Sequence, residues 1–396
     1  MSEWKKCTIG DMVTLRQGFA INAKSKHYIS KEPTSLALLR IADMKSGSRE
    51  IYVKEDIPIN FIAQPQDIVY TRTGNVGLVF RNNYGVVHNN CFTVTPNDAR
   101  VLSRDFLYYL LQSKYFFEKA NSLARGAAQP DLPHSLFNSI EISYPELDCQ
   151  HRIATILSRY DSLIENYQKQ IKLLEEAAQR LYKEWFVDLH FPGHENTKII
   201  DGVPEGWEYR KIGDVYKTVL GGTPSRAKSN YWGGDIPWIN SGEINKLRII
   251  QASEMITQEG YDNSSTKLMP VHTTILAITG ATLGQVSYTE IETCANQSVV
   301  GIIDETNQTN EYLYLYINDN ILSIVNKATG GAQQHINKDI VNDYNILIPV
   351  QNVLALFKER TTPLFKLIKD YLNSIQSLTE ARDRLLPKLM SGELKV

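Results

Sequence analysis

The sequence has few cysteines and no long apolar run. Its four cysteines, Cys7, Cys91, Cys149 and Cys294, are scattered singly among 396 residues, with no Cys-x-x-Cys pair. This spacing argues against a zinc site and a disulfide framework, and it is typical of a reducing compartment. No stretch approaches the roughly 18 apolar residues of a transmembrane helix, and the N-terminus lacks the apolar core of a signal peptide. We therefore expect a cytoplasmic protein that does not bind membranes.

An excess of positive charge is also missing. The 42 Lys and Arg residues are balanced by 44 Asp and Glu residues, for a formal net charge of −2. Affinity for phosphate depends on where cations lie and not on their total. Any contact with nucleic acid would therefore depend on local basic surfaces.

Familiar catalytic motifs are absent as well. The Gly-rich loops at 74–77 and 280–284 match neither a P-loop nor a dinucleotide-binding motif, and tight turns explain them better. His190 and His194 enclose Phe-Pro-Gly and lack the Glu of a zinc protease. No Gly-x-Ser-x-Gly elbow is present. No Glu-x-Lys pair follows Asp131 at the distance expected of a nuclease, and no Asn-Pro-Pro-aromatic methyltransferase motif occurs. We expect no catalytic residues, no metal site and no cofactor bound by this chain.

What the sequence does contain is an internal repeat that runs nearly end to end. Trp4-Lys-Lys-Cys-Thr-Ile-Gly-Asp11 recurs about 203 residues later as Trp207-Glu-Tyr-Arg-Lys-Ile-Gly-Asp214. Further matches follow in the same order at nearly constant offset: Thr73–Gly77 with Thr279–Gly284, His88–Cys91 with Ala295–Ser298, Gly126–Gln129 with Gly330–Gln333, and Ile142–Pro145 with Ile346–Pro349. The chain is therefore predicted to be a duplicated domain plus its connector.

Each copy opens with about 145 residues of short β-rich runs divided by Gly, Asn and Pro turns. A helical stretch interrupts them at 104–124 and again at 311–327. This pattern predicts an α+β fold with short, mostly antiparallel strands. Trp4, Trp207, Ile9 and Ile212 are interpreted as core anchors.

After each copy, the apolar period lengthens to 3.5 residues. From Ile153 to Trp185 apolar residues follow alternating steps of four and three, and the same positions 204 residues later are apolar in eight of ten cases. Two matching seams predict two long helices that pack antiparallel as a coiled coil, about 50 Å in length. A core helix within each domain is the alternative. The seam positions that we single out, also as a partner-docking region, are Ile164, Ile171, Leu174, Leu181, Trp185, Ile368, Ile375, Leu378, Leu385 and Leu389.

Three residues break the second seam. Thr361 and Arg382 are polar, and Pro363 removes a backbone donor. We expect a kink at Pro363, or a helix that restarts there.

Several loops carry residue types suited to DNA. Arg pairs with guanine and Gln or Asn with adenine in the major groove, whereas Lys and Arg meet phosphates, which position the protein without specifying sequence. Ordinary exposed turns are the alternative for any one residue, but their occurrence in both copies favours function. The candidates are Lys24, Lys26, Arg72, Thr73, Asn75, Arg125, Gln129, Arg226, Lys228, Thr279, Thr282, Gln333, Gln334, His335 and Lys338.

Over essentially its whole length, the chain resembles the specificity subunits of type I restriction–modification enzymes. Beyond the repeated openings and Gly loops, the resemblance is carried by residues 174–188, Gly202-Val-Pro-Glu-Gly-Trp207, and Arg382-Asp-Arg-Leu-Leu-Pro-Lys-Leu-Met-Ser-Gly-Glu-Leu394. It implies two target-recognition domains, each reading one half of a split site on double-stranded DNA. The helices would set the gap and dock two methyltransferase subunits that methylate adenine N6. Those subunits would bind S-adenosylmethionine, and restriction (motor) subunits would use ATP and Mg²⁺.

On this reading, residues 1–148 form the first recognition domain and 149–190 the first spacer helix. Residues 191–350 form the second domain, with 191–206 as its leading linker, and 351–396 form the second spacer helix. A structural scaffold or lectin-like pair, and a self-sufficient DNA-modifying enzyme, are the rival hypotheses. Steep loss of DNA binding with rising salt would separate DNA binding from the scaffold.

Overall fold

The computed structural model describes residues 4–327 and 335–396. The chain divides into two compact units: unit 1 comprises Met1–Leu163 and Leu378–Val396, and unit 2 comprises Ile164–Ser377. Two long helices, Leu147–Tyr182 and Gln351–Met390, each contribute to both units. Within the described ranges, no helix combines the length and apolar character needed to span a membrane.

The first copy of the repeat is built from short strands and helices. The strands are Lys5–Thr8, Val13–Gln17, Ile29–Ser30, Leu36–Leu39, Tyr52–Val53, Ile62–Ala63, Ile68–Thr71, Val79–Phe80, Gly85–Val87, Cys91–Pro96 and Glu141–Tyr144. The α-helices are Ile9–Met12, Ile41–Ser46, Arg104–Gln112, Lys114–Leu123 and His134–Asn138, with 3₁₀ turns at Lys26–Tyr28 and Ile59–Phe61.

The second copy of the repeat is built in the same way. Its strands are Ile199–Ile200, Val203–Pro204, Glu208–Lys211, Lys217–Leu220, Trp232–Ile239, Arg248–Ile249, Glu254–Ile256, Thr274–Ala277, Val286–Thr289, Cys294–Ala295, Val299–Ile303 and Asn345–Ile348. Its α-helices are Ile212–Val215, Gln258–Asp262, Asn310–Val325 and Lys338–Asn342, with 3₁₀ turns at His194–Asn196, Ser229–Tyr231, Ser241–Asn245 and Gly280–Thr282. A π-helical turn, Lys183–Val187, ends the first long helix.

The internal repeat is visible in strand pairing. In unit 1, Lys5 pairs with Tyr144 in an antiparallel ladder, and in unit 2 the equivalent Glu208 pairs with Ile348. The main sheets also share an order. Val13–Gln17, Cys91–Pro96, Ile68–Thr71 and Val79–Phe80 are neighbours in that order, and so are Lys217–Leu220, Val299–Ile303, Thr274–Ala277 and Val286–Thr289. The predicted duplicated α+β fold with mostly antiparallel strands is confirmed.

Each unit has its own main core, to which the long helices contribute. In unit 1, Ile153 and Leu389 are buried with Ile9 and Phe106. In unit 2, Trp185 and Phe357 are buried with Trp207, Ile212 and Tyr312. Ile9, Ile212 and Trp207 are thus core anchors as predicted, whereas Trp4 is half-buried and lies against Phe106 with ring centroids 6.3 Å apart.

The two long helices run antiparallel. Within unit 1, Asp161 pairs with Arg382. Within unit 2, the Tyr167 ring stacks on Tyr371 with centroids 4.8 Å apart, and Trp185 packs against Phe357 at 5.7 Å. As residue numbers rise along the first helix, those of its partners on the second fall, which confirms the predicted antiparallel pair.

The predicted restart at Pro363 is wrong. The second helix is continuous from Gln351 to Met390. Phe357 and Phe365, one on either side of the proline, are buried in the same core, and this packing holds the helix through it. A kink within the continuous helix stays a prediction. The polar seam residues also find partners: the Thr361 hydroxyl donates to the Phe357 carbonyl, and Arg382 donates to Asp161.

Candidate nucleic-acid interface

In unit 1, four loops meet at one end of the main sheet. The loop after Val13–Gln17 is hydrogen-bonded to the turn at 88–91 and the strand before it. The Phe19 amide donates to the Val87 carbonyl at 2.6 Å, and the Asn89 amide donates to the Phe19 carbonyl at 2.9 Å. The loop that begins at Arg72 joins the same turn, because the Arg72 amide donates to the Asn90 carbonyl at 2.8 Å. The structure therefore brings together chain segments that are distant in sequence.

The fourth loop, 125–131, completes this cluster. The Gly74 amide donates to the Pro130 carbonyl, and Arg125 and Asp131 exchange backbone hydrogen bonds, all at 2.8 Å. Gly74 adopts a φ of +82°, which favours glycine, and nothing lies within 4 Å of where its Cβ would be. The backbone at Gly74 is therefore open to the close approach of a ligand.

Arg72 is held by a carboxylate. Its Nη2 donates to Asp131 Oδ2 at 2.7 Å and its Nη1 to Gln17 Oε1 at 3.1 Å, while the Thr73 hydroxyl donates to Asp131 Oδ1 at 2.5 Å. Hydrogen bonding from Arg72 holds the pKa of the Asp131 carboxyl below its usual range. Asp131 thus fixes the Arg72 guanidinium in one orientation and offsets part of its charge.

The other unit 1 candidates are exposed. Asn75 lies in the Arg72 loop, and Arg125 and Gln129 in the loop that faces it. Lys24 and Lys26 lie in the loop that leaves Phe19, where the Ser25 hydroxyl donates to the Ala20 carbonyl at 2.5 Å. Of the predicted unit 1 residues, Arg72 and Thr73 are joined by their side chains, through Asp131.

The described residues of unit 2 repeat the arrangement of the first three of these loops. The Gly221 amide donates to the Val299 carbonyl at 3.0 Å and the Gly222 amide to the Ala295 carbonyl at 2.8 Å, so the loop after Lys217–Leu220 packs on the turn at 295–298. A Cβ at Gly221 would lie 2.1 Å from the Asn296 carbonyl oxygen, which explains the glycine. Thr279 forms a β-bridge with His335, as Thr73 does with Asp131.

Arg226 is stacked as well as paired. Its Nη2 donates to Glu254 Oε1 at 2.9 Å, its Nη1 donates to the other oxygen, and its Cζ lies 3.6 Å from the centre of the Trp232 ring. Hydrogen bonding from Arg226 lowers the pKa of the Glu254 carboxyl. The guanidinium is therefore oriented, although more than half of the side chain is exposed.

The remaining unit 2 candidates make fewer side-chain contacts than Arg226. Lys228 donates to the Tyr231 hydroxyl at 2.7 Å, and Lys338 begins the short helix Lys338–Asn342. The Thr282 hydroxyl donates to the Thr279 carbonyl at 3.3 Å, within the 3₁₀ turn that replaces the unit 1 Gly loop. The predicted residues Gln333 and Gln334 lie outside the described residues.

Sequence reasoning missed several residues of these loops. Gln17 donates to the Asn89 carbonyl at 2.7 Å and accepts from Arg72, and the Thr223 hydroxyl donates to Gln297 Oε1 at 2.5 Å. The alignment of His88–Cys91 with Ala295–Ser298 was a signal for the turns. The carboxylates that hold the arginines gave no signal, because they lie far away in sequence.

Two histidines beside the unit 1 cluster have lowered pKa values. Burial lowers the pKa of His134, and the nearby Arg72 charge lowers it further. Burial also lowers the pKa of His88. Among the described residues, no group of three His, Cys, Asp or Glu side chains is arranged to hold a metal ion.

The predicted seam positions fall into two classes of burial. Ile164, Ile171, Trp185, Ile368 and Leu389 are buried, and Leu174, Leu181, Ile375, Leu378 and Leu385 are half-buried. Other leucines of the same helices are exposed, including Leu163, Leu173 and Leu367.

Comparison with known proteins gives a consistent result. The type I restriction enzyme MjaIX specificity subunit of Methanocaldococcus jannaschii is 28% identical over 409 residues, which cover 100% of this chain and 94% of the relative. The HindI specificity subunit of Haemophilus influenzae is 24% identical over 473 residues, covering 100% of both chains. The crystal structure of a type I restriction–modification S subunit from M. genitalium has a TM-score of 0.61 at 18% identity, over 98% of this chain and 96% of that one, and so shares the fold.

The family comparison covers most of the sequence. Residues 1–176 and 204–372 match the family described as "Type I restriction modification DNA specificity domain". The match comprises two segments, one for each copy of the repeat, as the duplicated architecture requires. The chain therefore belongs to the type I restriction–modification DNA specificity family.

Proposed function

We propose that this chain is the DNA sequence-specificity subunit of a type I restriction–modification complex, and that each recognition domain reads one half of a bipartite site. The observation that carries the proposal is the loop cluster that recurs at the same end of both sheets. The first domain comprises residues 1–148, and the second comprises 191–350 with 191–206 as its leading linker.

The two loop clusters share a backbone arrangement but differ in side chains. The Leu132 amide donates to the Arg72 carbonyl at 2.9 Å, and the equivalent Ile336 amide donates to the Ile278 carbonyl at 3.0 Å. The position that holds Arg72 in the first domain thus holds Ile278 in the second. Because Arg reads guanine and an apolar side chain does not, the two domains would prefer different half-sites.

The base-reading and phosphate-contacting residues would come from the loop candidates. Arg72 and Arg226 are oriented by carboxylates, which suits bidentate recognition of a base edge. Lys24, Lys26, Lys228 and Lys338 would meet phosphates, and Thr73, Asn75, Arg125, Gln129, Thr279, Thr282, Gln333, Gln334 and His335 are further candidates for DNA contact.

The helix pair would set the gap between half-sites and dock methyltransferase subunits. Residues 149–190 and 351–396 form these spacers, and the seam positions hold the pair together. Two repeat-equivalent leucines, Leu163 and Leu367, are 44% and 36% exposed. Equivalent exposed positions on both helices would suit two copies of one partner.

Chemistry would belong to the partners, since the chain is a non-catalytic specificity subunit. The methyltransferase subunits would bind S-adenosylmethionine and methylate adenine N6, and restriction subunits would use ATP and Mg²⁺ in the cytoplasm. The test is a genome-wide map of N6-methyladenine in cells that express this chain with its methyltransferase. A bipartite motif with one fixed gap is expected, whereas a continuous motif or none would overturn the proposal.

A further inference from the structure

A recognition-domain arginine meets a carboxylate of the first long helix in unit 1. Arg81 Nη2 lies 3.3 Å from Asp161 Oδ2, and the Tyr109 hydroxyl donates to the same oxygen at 2.5 Å. Arg382 of the second long helix donates to Asp161 Oδ1 at 2.8 Å. The Asp161 side chain is only 11% exposed, so this single carboxylate joins the recognition domain to both helices.

Unit 2 contains a comparable cluster around Arg248. Its guanidinium is completely buried, donates to Glu175 of the first long helix, and lies 3.8 Å from Glu290 Oε1. Lys369 of the second long helix lies 3.4 Å from the other Glu290 oxygen. Three aromatic rings have their centres 4.4–4.9 Å from the Arg248 Cζ: Phe365, Tyr314 and Tyr288.

The two clusters are not copies of one another. At the repeat offset of 204 residues, Asp161 corresponds to Phe365, and Glu175 corresponds to Thr379. In each half of the chain, ion pairs thus link the domain to both helices. The residues that form these ion pairs are not at equivalent positions of the repeat. Inheritance from the duplicated ancestor does not account for this arrangement. Each half has therefore acquired its own charged link between its domain and the helices.

A gain in folding stability is not enough to explain why these charged clusters are buried. Burial of charged groups is costly, and well-packed apolar residues of similar volume are often as stabilising as a buried ion pair. An ion pair differs from an apolar contact because its hydrogen bonds are directional and accept a narrow range of orientations.

We propose that Asp161 with Arg81, and Glu175 with Arg248, are positioning residues that fix the angle at which each recognition domain is held on the helices. This inference rests on the proposed function, because a fixed angle restricts the complex to one gap between half-sites. A gap longer by one base pair shifts a half-site by about 3.4 Å and rotates it by roughly 34–36°. A domain held by directional bonds resists that movement, whereas a loosened domain tolerates part of it.

Two conservative substitutions test the inference, one in each unit. Asp161→Asn and Glu175→Gln remove the helix charge but keep the shape of the side chain. Each arginine retains another carboxylate, since Arg81 keeps Asp105 at 3.9 Å, Arg382 keeps Asp383 at 2.9 Å, and Arg248 keeps Glu290. Both variants should therefore fold. The matched controls are Asp383→Asn, which removes an Arg382 pair on one helix, and Glu176→Gln, whose 3.9 Å pair with Lys172 lies within the first helix.

The first measurement does not depend on activity. In a Cys7→Ser, Cys149→Ser background, spin labels at the exposed positions Ser122 and Thr155 report the distance between domain and helix in unit 1 by double electron–electron resonance. Labels at Gln168 and Asn263 do the same in unit 2, and they leave the Lys172–Glu176 pair of the control intact. The inference expects a broader distance distribution in Asp161→Asn and Glu175→Gln than in their controls. Equal widths would overturn it.

The second measurement is the methylation map of the same variants with the methyltransferase. We expect both half-site sequences to be kept while sites with a gap one base pair shorter or longer become methylated, and we expect the controls to keep the single gap. A single unchanged gap in both variants would overturn the inference while leaving the proposed function intact. If the unsubstituted chain gives no bipartite motif, the proposed function fails, and the spin-label result still decides whether the clusters fix the domains.

Discussion

Leu389→Ala should destabilise the N-terminal part of unit 1, although residue 389 lies more than 200 residues after the last strand of that part, Glu141–Tyr144. Leu389 is completely buried in the unit 1 core with Ile9, Phe106 and Ile153. Truncation of a buried Leu to Ala removes apolar contacts and leaves a cavity, at a cost of roughly 2–5 kcal/mol. A loss of 3 kcal/mol raises the population of the open state by about a hundredfold.

Hydrogen exchange measured on peptides separates the two units. We expect amides of Arg104–Gln112 in unit 1 to exchange on the order of one hundred times faster in Leu389→Ala, with little change in Asn310–Val325 of unit 2. The control is Leu394→Ala, in the same unit, whose side chain is 42% exposed. Its effect should stay within about 0.5 kcal/mol. Unchanged exchange in Arg104–Gln112 would refute the assignment of the helix end to the first core.

Two further predictions concern charge. Lys24→Ala and Lys26→Ala, both at exposed positions, should each reduce the salt dependence of DNA binding without altering the methylated motif. The slope of the logarithm of the binding constant against the logarithm of the salt concentration should fall by about 1 in magnitude. An unchanged slope would exclude phosphate contact. His134→Gln should reduce the loss of stability on acidification, because burial lowers the pKa of His134 from its ordinary 6.5. The neutral imidazole therefore contributes its full share of the free energy of unfolding above about pH 6.5, and this contribution is lost as the pH falls below that value. Urea unfolding at pH 7.5 and 5.5 checks this, and an equal loss in both proteins would contradict it.

The fold could be predicted because its evidence is periodic or repeated. The 3.5-residue apolar spacing requires the seam side chains to lie on one face, and burial of Ile171 and Ile368 follows from it. The repeat required the pairing of Glu208–Lys211 with Asn345–Ile348 to match that of Lys5–Thr8 with Glu141–Tyr144. The helix through Pro363 could not be predicted, because core packing on both sides of the proline decides it.

The site was harder to predict than the fold. Residue types and glycine turns indicated the loops, but the carboxylates that orient the arginines are set by tertiary structure. Asp131 lies 59 residues after Arg72, and Glu254 lies 28 residues after Arg226. Likewise, Arg382 appeared to break the apolar seam, yet Asp161 on the other helix pairs with it.

The central claim is that each half of the duplicated chain reads its own half of the DNA site. The most direct test exchanges residues 1–145 for the equivalent segment of a related specificity subunit and maps N6-methyladenine in cells that also express the methyltransferase. One half of the methylated motif should change, while the other half and the gap stay the same. A motif in which both halves change together would contradict the claim.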